Sequence, residues 1–367
     1  MGTVGNQEIG DYLYSTSYTT STTGGNVHYT KSNAANSKLK WETTVSANIG
    51  IDATLWDGLV TLTADFYHKK TNDLLLTVPV DVAKYGVSSQ LQNIGNVENK
   101  GFELALGVTP IRERQLTWNI QGNLAYNKNE ITNLGNHQEL NTNNYSILRK
   151  GEAVGSFYGL VFDGVVQADE DISKLPTQNG SKPKVGEEKF RDINNDGKVN
   201  EYDRVILGHA QPNVTYGLST SLKYKQLDVF VQFQGTANGH IYNALRRTLE
   251  SPTDCYNVSS VILDSWTANN PTNDYPAVSD VRPYNYIDSR FVENADYFKL
   301  KTLTIGYQVG ASLLKPLKID GIRLYATATN LFTLTGYKGY EPEIQSGVDR
   351  GDYPAARSFT LGAEVTF

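Results

Sequence analysis

Alternating apolar and polar residues recur along the chain, and the last nine residues show the pattern most clearly. Phe359, Leu361, Ala363, Val365 and Phe367 alternate with polar or small residues up to the carboxy-terminus. Because successive side chains of a β-strand point to opposite faces, this segment predicts a strand with one apolar and one polar face. Such a strand suits a membrane β-barrel, whose wall meets lipid on one side and the lumen on the other. The last strand of a soluble β-sandwich would alternate in the same way.

Eight further segments alternate with the same period of two. They lie at residues 44–53, 60–67, 102–108, 116–126, 214–224, 227–233, 303–309 and 322–328. Between the segments, short turns near residues 57, 112, 225 and 315 alternate with long loops at 70–94, 131–212, 237–295 and 333–354. The turn at Trp56-Asp57-Gly58 contains Asp-Gly, a strong hairpin signal. An up-and-down barrel in an outer membrane has this arrangement of short turns at one end and long loops at the other.

The predicted fold class is therefore all-β, an antiparallel up-and-down transmembrane β-barrel with long extracellular loops. With nine segments, we expect a partial barrel of about nine to ten strands. The terminal aromatic residue would lie at the membrane interface. Residues 1–40, rich in Ser, Thr, Tyr, Asn and Gly, are expected to form an outer loop with one strand end near Ile9–Tyr18. Residues 41–367 are expected to form the barrel.

Composition limits the other classes of protein. None of the 367 residues falls in a run of about 18 apolar residues, so no transmembrane helix is expected. The net charge of -6 argues against a nucleic-acid partner, which would need a basic face. The one cysteine, Cys255, allows no internal disulfide. Met1-Gly2-Thr3 does not start a leader segment, so we expect that a signal was removed or that the chain is a fragment.

Residues 192–203 fit the calcium-loop pattern D-x-[DN]-x-[DN]-G-x5-[DE]. Oxygen ligands at alternate positions, a turn-making glycine and a final carboxylate can surround a hard cation. The expected Ca²⁺ ligands are Asp192, Asn194, Asp196, the carbonyl of Lys198 and Asp203, with Asn200 near a bound water. We expect a structural Ca²⁺ that holds the 131–212 loop together outside the cell. The alternative is a solvated turn rich in Asn, Asp and Gly.

Aromatic residues in the long loops are candidate substrate contacts. Flat rings beside polar groups could hold a sugar or a peptide at the outer mouth. The candidates are Tyr284, Tyr286, Tyr337, Tyr340 and Trp266. These rings could equally pack the loops against one another. Polar residues expected to face the lumen or whatever fills it are Asn119, Gln121, Asn123, Gln232 and Glu364.

No sequence motif for catalysis is evident. The five histidines are scattered, and the chain lacks the metalloprotease, nucleophile-elbow and phosphate-loop motifs. We therefore expect no enzyme. A glycosidase carboxylate pair leaves no recognisable spacing in sequence, so an extracellular glycosidase stays a rival. The other rivals are a soluble all-β carbohydrate-binding protein and a surface adhesin with a calcium-binding loop.

Several segments resemble the SusC/RagA family of TonB-dependent outer-membrane transporters. They occur in order along nearly the whole chain. They are Gly5-Asn6-Gln7-Glu8-Ile9-Gly10, Leu39-Lys40-Trp41-Glu42-Thr43-Thr44, Phe66-Tyr67-His68-Lys69-Lys70-Thr71-Asn72-Asp73-Leu74-Leu75, Asn93-Ile94-Gly95, Asn99-Lys100-Gly101-Phe102-Glu103, Tyr297-Phe298-Lys299-Leu300-Lys301 and Thr329-Asn330-Leu331-Phe332.

The resemblance implies that the chain is the carboxy-terminal part of a larger barrel that encloses a plug domain. It implies an importer of nutrients, with oligosaccharides as the first expected substrate class and peptides as the second. The implied partners are a SusD-like surface lipoprotein and the TonB complex, which would act through an amino-terminal part absent here. We also expect Phe359, Leu361, Val365 and Phe367 to form a carboxy-terminal signal for the barrel assembly machinery. The implied location is the bacterial outer membrane.

Overall fold

The computed structural model describes residues 2–6, 14–251, 257–279, 284–314, 316 and 319–367. These residues form 23 strands. The first twelve are β1 (Gly2–Asn6), β2 (Tyr18–Thr23), β3 (Asn26–Lys31), β4 (Glu42–Leu55), β5 (Val60–Pro79), β6 (Ser89–Arg112), β7 (Leu116–Leu134), β8 (Glu139–Asn141), β9 (Ser146–Arg149), β10 (Ser156–Gly159), β11 (Phe162–Val165) and β12 (Thr177–Gln178). The others are β13 (Glu188–Phe190), β14 (Lys198–Val199), β15 (Val205–His209), β16 (Val214–Tyr224), β17 (Leu227–Ala237), β18 (His240–Asn243), β19 (Val292–Asn294), β20 (Tyr297–Gln308), β21 (Gly321–Thr335), β22 (Val348–Asp349) and β23 (Ser358–Thr366). Three short α-helices, α1 to α3, span Val82–Tyr85, Ala244–Leu249 and Ala311–Leu314, and three 3-10 helices span Ile172–Lys174, Glu201–Asp203 and Ser260–Asp264. Among the described residues, no helix has both the length and the apolar character needed to cross a membrane.

Ten strands form one large antiparallel sheet. Their order is β1-β4-β5-β6-β7-β16-β17-β20-β21-β23, so each strand pairs with the next large-sheet strand along the chain. All nine segments predicted from alternation lie in this sheet, which confirms the up-and-down topology. The tenth strand, β1, pairs with β4 and precedes the first predicted segment. Within the described residues the sheet stays open between β1 and β23, as a partial barrel should.

The short connections adopt the backbone that tight hairpins require. Between β4 and β5, Trp56, Asp57 and Gly58 all have positive φ, at 52°, 54° and 84°. Between β16 and β17, Lys225 has a φ of 52° and the last paired residues are Tyr224 and Leu227. Left-handed residues match the right-handed twist of the two strands that such a turn joins. The turns predicted near residues 57 and 225 are thus confirmed.

The long loop predicted at residues 70–94 is mostly strand. β5 continues to Pro79 and β6 begins at Ser89, so only a nine-residue connection containing α1 joins them. The register shifts between Thr71 and Leu75, where Asp73 has a φ of 59°. This bulge breaks the alternation, which is why the sequence pattern indicated that the strand ended there.

The other three long loops carry regular structure of their own. The main strands extend into them, since β7 ends at Leu134, β17 at Ala237 and β21 at Thr335. Within 131–212, β8, β9, β10 and β15 form a four-stranded sheet, and β11–β13 and β12–β14 form two small pairs. β18 joins β19 to β22, and so links the 237–295 loop to the 333–354 loop.

Most of the best-buried apolar residues lie in these loops. One core contains Phe157, Tyr242, Ile287, Phe291 and Val348, which come from all three long loops. Apolar contacts between distant segments explain why the loops fold together although each is polar on average. The loops therefore form a structured cap at one end of the sheet.

The first 40 residues supply β1 and a hairpin. β2 and β3 pair from Tyr18↔Lys31 to Thr23↔Asn26. Of the strand end expected near Ile9–Tyr18, residues 9–13 lie outside the described residues, and β2 begins at Tyr18.

Candidate functional site

One face of the ten-stranded sheet is apolar and uncovered. Cross-strand pairing places Ile49, Phe66, Phe102 and Tyr126 in one row on this face. Ile49 is 71% exposed and Phe66 is 59% exposed, while Leu361 on β23 is 87% exposed. Soluble monomers rarely expose a continuous apolar surface of this extent, because contact between apolar side chains and water is unfavourable in free energy. Lipid is the solvent that such a face requires.

Aromatic side chains border this face at both ends. Near the loops, the rings of Phe66 and Phe102 lie 6.2 Å apart, and those of Phe102 and Tyr126 lie 5.8 Å apart. Near the short turns, exposed Tyr224 and Tyr307 lie on the same face. Such belts mark the two membrane–water interfaces of barrels, and the band between them is about 25 Å tall.

The opposite face is polar and would line the lumen. A concavity of about 290 Å³ on this face brings together Gln121, Asn123 and Gln232 with Thr63 and Ser219. Three of the five expected lumen residues thus line one concavity.

The other two expected lumen residues lie elsewhere on the same face. Asn119 accepts a hydrogen bond from Thr109 Oγ1 at 2.9 Å and donates one to Ser221 Oγ at 3.3 Å. Glu364 pairs in register with Arg323, whose Nη2 lies 2.6 Å from Asp228 Oδ2. Both therefore sit in a hydrogen-bonded polar surface that suits water or a polar cargo.

The loop at residues 192–203 is tightly wound around its own oxygen atoms. Asp192 accepts hydrogen bonds from the backbone N–H groups of Asp196 and Gly197, at 3.2 and 2.8 Å. Asn194 Oδ1 accepts one from Asp196 N at 2.9 Å, and Asp196 Oδ1 accepts one from Lys198 N at 2.8 Å. Gly197 has a φ of 80°, which allows the sharp turn at the sixth position of the motif.

Asp203 closes this loop from the inside. Its side chain is fully buried and accepts hydrogen bonds from the backbone N–H groups of Ile193, Asn194 and Asn200, at 2.9, 3.3 and 2.7 Å. Asn200 in turn caps the short 3-10 helix Glu201–Asp203. The final residue of the motif is therefore bonded to the start of the loop, so the two ends of the 192–203 segment lie close together.

The donor set of this loop suits a hard cation. Asp192, Asn194, Asp196, Asp203 and the carbonyl of Lys198 are all oxygen donors, which Ca²⁺ prefers. In the described residues, however, no group of three or more His, Cys, Asp or Glu side chains converges on one metal position. Here the carboxylates are directed towards backbone N–H groups of the loop.

Four of the five candidate aromatics pack within the loops. Tyr284 donates to the carbonyl of Val199 at 2.6 Å and accepts from Asn179 N at 2.7 Å, and its ring stacks on Tyr286 at 6.2 Å. Burial raises the pKa of Tyr284. Tyr284 therefore ties the 237–295 loop directly to the 192–203 loop.

The remaining candidate aromatics differ in exposure. Trp266 is partly buried and donates to Gln167 Oε1 at 3.0 Å. Tyr337 is 6% exposed and donates to Asp349 Oδ2 at 2.6 Å, so its ring belongs to the loop core. Tyr340 is 68% exposed and alone among the five presents most of its ring to the surroundings.

A buried lysine at the loop end of the lumen face escaped the sequence analysis. Lys299 on β20 is nearly inaccessible, and its Nζ lies 3.0 Å from Glu341 and 2.6 Å from Glu343. Tyr297 donates a further hydrogen bond to Glu343 at 2.7 Å. Burial acts to raise the pKa of Glu343, but the hydrogen bonds from Lys299 and Tyr297 outweigh it and the pKa is lowered. This network fixes the 333–354 loop to the barrel wall.

Arg290 plays a similar part between two loops. Its guanidinium bonds Asp288 Oδ1 at 2.9 Å, pairs with Glu188, and lies 4.2 Å from the ring centroid of Phe162. Burial disfavours the charged form, yet Asp288 and Glu188 outweigh it and raise the pKa of Arg290. Asp288 and Arg290 come from the 237–295 loop and Glu188 from the 131–212 loop, so their pairing could not be read from spacing.

A second cavity of about 290 Å³ is mainly apolar and lies where β5, β6 and β7 extend into the loops. Its apolar lining includes Leu74, Leu76, Ile131 and Leu148. Leu74 and Leu76 lie at the bulge described above and just beyond it, so this cavity depends on a strand extension that the sequence pattern missed.

An antiparallel sheet with an uncovered apolar face, two aromatic borders, a polar inner face and one capped end is the wall of an outer-membrane β-barrel. The chain belongs to the TonB-dependent receptor-like β-barrel family, whose model matches residues 10–331. It is accordingly an integral outer-membrane protein of the SusC/RagA type, as the sequence motifs predicted. Long, structured loops at one end disagree with the soluble carbohydrate-binding alternative, which predicts short loops at both ends.

The relatives are receptors and transporters. The chain is 35% identical over 356 residues to TonB-dependent receptor P3 of Formosa agariphila, covering 91% of this chain and 35% of the relative. It is 30% identical to TonB-dependent receptor SusC of Bacteroides thetaiotaomicron, covering all of this chain and 37% of the relative. The RagAB peptide transporter superposes on the whole chain with a TM-score of 0.82 and 27% identity, over 40% of the solved chain. The chain thus spans little more than a third of the length of these relatives.

Proposed function

We propose that this chain supplies ten wall strands and the outer loops of a TonB-dependent importer of oligosaccharides or peptides. The observation that carries the proposal is the opposition of an apolar outer face to a polar inner face, in a chain whose fold matches that of the RagAB peptide transporter. In this role the chain binds and guides cargo and performs no covalent chemistry.

Energy and capture would come from partners. In the proposed mechanism, a plug inside the complete barrel moves when the TonB complex acts on it from the inner membrane. A SusD-like surface lipoprotein would cover the capped end of the sheet. The structured loops support this arrangement, because Lys299 and Arg290 hold them in one conformation that a lid could recognise.

The two substrate classes would use different surfaces of the mouth. Exposed Tyr340 could stack on a sugar ring, whereas the apolar cavity beside Leu74 and Leu76 could receive an apolar side chain of a peptide. Because Tyr337 is buried, we place no cargo contact there.

Binding to the complete protein tests this proposal. The full-length protein in detergent is titrated calorimetrically with an oligosaccharide mixture and with a peptide digest. We expect one class to bind, and Tyr340→Ala or Leu76→Asp to weaken the class that uses each surface by about tenfold or more. Leu313 in α3 is exposed at the opposite, short-turn end, and Leu313→Ala is the matched control. Failure of both classes to bind, together with unimpaired growth of a deletion strain on both, would contradict the proposal.

We further propose that residues 192–203 bind a structural Ca²⁺. Asp192, Asn194, Asp196, the carbonyl of Lys198 and Asp203 would hold the ion, with Asn200 near a bound water. The cation would supply positive charge at the centre of a loop whose carboxylates now depend on backbone N–H groups. Because Tyr284 bonds Val199 within this loop, the ion would also steady the neighbouring aromatic cluster.

Calorimetry tests the calcium proposal. We expect binding at or below millimolar Ca²⁺, and its loss in Asp196→Ala, while Asp163→Ala, an exposed aspartate of the same long loop, binds normally. No binding at millimolar Ca²⁺, or equal binding by Asp196→Ala, would refute the site.

The terminal strand has a separate proposed role in assembly. Phe359, Leu361, Val365 and Phe367 all lie exposed along β23 or just beyond it, at the edge of the described sheet. We propose that the barrel assembly machinery recognises this edge before the barrel closes. Deleting Phe367 should lower the amount of folded barrel in the membrane far more than deleting exposed Tyr353, as gel mobility without heating would show.

A further inference from the structure

A group of basic side chains lies on the outer wall just beyond the aromatic border. We define the basic patch as His68, Lys70, Lys100 and Lys128. Cross-strand pairing stacks it on the aromatic row, since His68↔Lys100↔Lys128 is the next outward-facing row after Phe66↔Phe102↔Tyr126. Lys70 pairs with Glu98 one row further towards the loops.

One carboxylate organises most of this patch. Glu98 is 17% exposed and its oxygens lie 2.7 Å from Lys100 Nζ, 3.4 Å from His68 Nε2 and 3.9 Å from Lys70 Nζ. Lys128 pairs separately with Glu130 at 2.8 Å. Three lysines thus face two carboxylates, and the lysines keep 42–60% of their side-chain surface exposed. An excess of positive charge remains available at the surface.

The height of the patch matches one layer of the membrane. It begins two residues beyond the aromatic row, roughly 7 Å along a strand and about 5 Å in height at the usual tilt. Lipid headgroups occupy about 5–8 Å on each side of the hydrocarbon core. Because the patch lies towards the long loops, this layer belongs to the outer leaflet.

We propose that the basic patch binds the phosphate groups of a lipid in the outer leaflet. The lysine ammonium groups would form charge-assisted hydrogen bonds with phosphate oxygens, and the Phe66, Phe102 and Tyr126 rings would contact the start of the acyl chains. Glu98 holds Lys70 and Lys100 on one carboxylate, so their ammonium groups can approach the phosphate oxygens of one headgroup together. A bound lipid would then belong to the wall of the importer at a defined place.

Native mass spectrometry of the full-length protein tests the proposal. The probe is a membrane glycolipid carrying two phosphates, compared with its enzymatically dephosphorylated form. We expect Lys100→Gln/Lys128→Gln to bind the phosphorylated lipid on the order of tenfold more weakly. The matched control, Lys223→Gln/Lys225→Gln, removes two exposed lysines at the opposite end of the strands and should bind as the unsubstituted protein does.

Three outcomes would overturn the proposal. The first is equal lipid binding by the patch variant and the control. The second is equal binding of the phosphorylated and dephosphorylated lipids. The third is full displacement of the lipid by millimolar inorganic phosphate, which would make the patch a general anion site. Gel mobility without heating confirms that each variant is folded before it is compared.

Discussion

Single residues decide how the loops are attached to the barrel wall. Lys299 is a charged side chain placed where water hardly reaches, and it is tolerated because Glu341 and Glu343 surround its ammonium group. Removing one partner of such a buried group leaves the charges of the others uncompensated. The resulting loss of folding free energy is larger than the net stabilisation that the whole network provides.

Replacement of this lysine should release the last long loop. We expect Lys299→Met to destabilise the 336–355 segment by about 3–5 kcal/mol, because the two carboxylates would lose the buried cation that bonds both of them. Hydrogen exchange of that segment in the full-length protein measures the change. Lys301 lies 4.0 Å from Glu343 and is far more exposed, so Lys301→Met is the control and should change exchange little. Equal protection in the two variants would disprove the role of Lys299.

A histidine contact between two loops should make the cap sensitive to acid. The rings of His209 and His240 lie 5.9 Å apart, edge to face. Burial, helped by the nearby His209, lowers the pKa of His240 below its ordinary value of 6.5, although Asp296 opposes the shift. The folded loop therefore favours the neutral ring. The stability that the neutral ring gives the folded loop is fully present above about pH 6.5. It falls as the pH drops below that value, because the opened form takes up the proton first.

Hydrogen exchange of residues 205–209 and 240–243 checks this pH dependence. After correction for the intrinsic exchange rate, protection should be lower at pH 5.5 than at pH 7.5. His240→Phe keeps an aromatic ring beside Gly208 but cannot be protonated, so its protection should not change with pH. Persistence of the same pH dependence in His240→Phe would assign it to other groups.

Strands are the scale at which the sequence was most informative. Alternation identified all nine segments from β4 to β23 because the two solvents, lipid and lumen water, select opposite residue types at every step. It failed at Asp73, where a bulge interrupts the alternation and β5 continues into an apolar core around Val78 and Ile131. A search for a period of two cannot follow a strand past a bulge, because the bulge shifts the alternation and the residues beyond it pack in a protein core instead of facing lipid.

The candidate site was predictable only where it is local. The 192–203 motif is contiguous, so its spacing was visible in the sequence. Lys299 and Glu343 are 44 residues apart, and Arg290 and Glu188 are 102 apart, so no sequence spacing indicates that they pair. The loop tyrosines were visible as residue types, but their burial depends on which loops meet.

Neighbouring positions of one strand should respond oppositely to the same substitution. Leu62 and Thr63 are consecutive on β5, with Leu62 on the apolar face and Thr63 bonded to Asp52 on the polar face. We expect Leu62→Arg to destabilise the folded barrel by about 2–4 kcal/mol, whereas Thr63→Arg should be nearly neutral. Urea unfolding of the full-length protein in lipid vesicles measures both. Equal destabilisation by the two arginines would argue against lipid on the Leu62 face.

The whole molecule consists of a curved wall and a cap. The wall separates lipid from lumen, the cap joins three long loops over one end, and the Lys299 and Arg290 networks hold cap residues to the wall and to each other. The remaining wall strands and any plug would come from the rest of a protein of the relatives' length. In the proposed importer, cargo would pass along the polar face while the apolar face stays in the membrane.

Lipid contact along β5 is the most direct test of this arrangement. Spin labels are placed singly at residues 60–66 of the full-length protein, with Cys255 replaced by serine, in lipid bilayers. Collision with dissolved oxygen, which concentrates in hydrocarbon, should be high at 60, 62, 64 and 66 and low at 61, 63 and 65. Collision rates without this alternation, or even-numbered positions shielded from oxygen by protein, would contradict a lipid-facing wall.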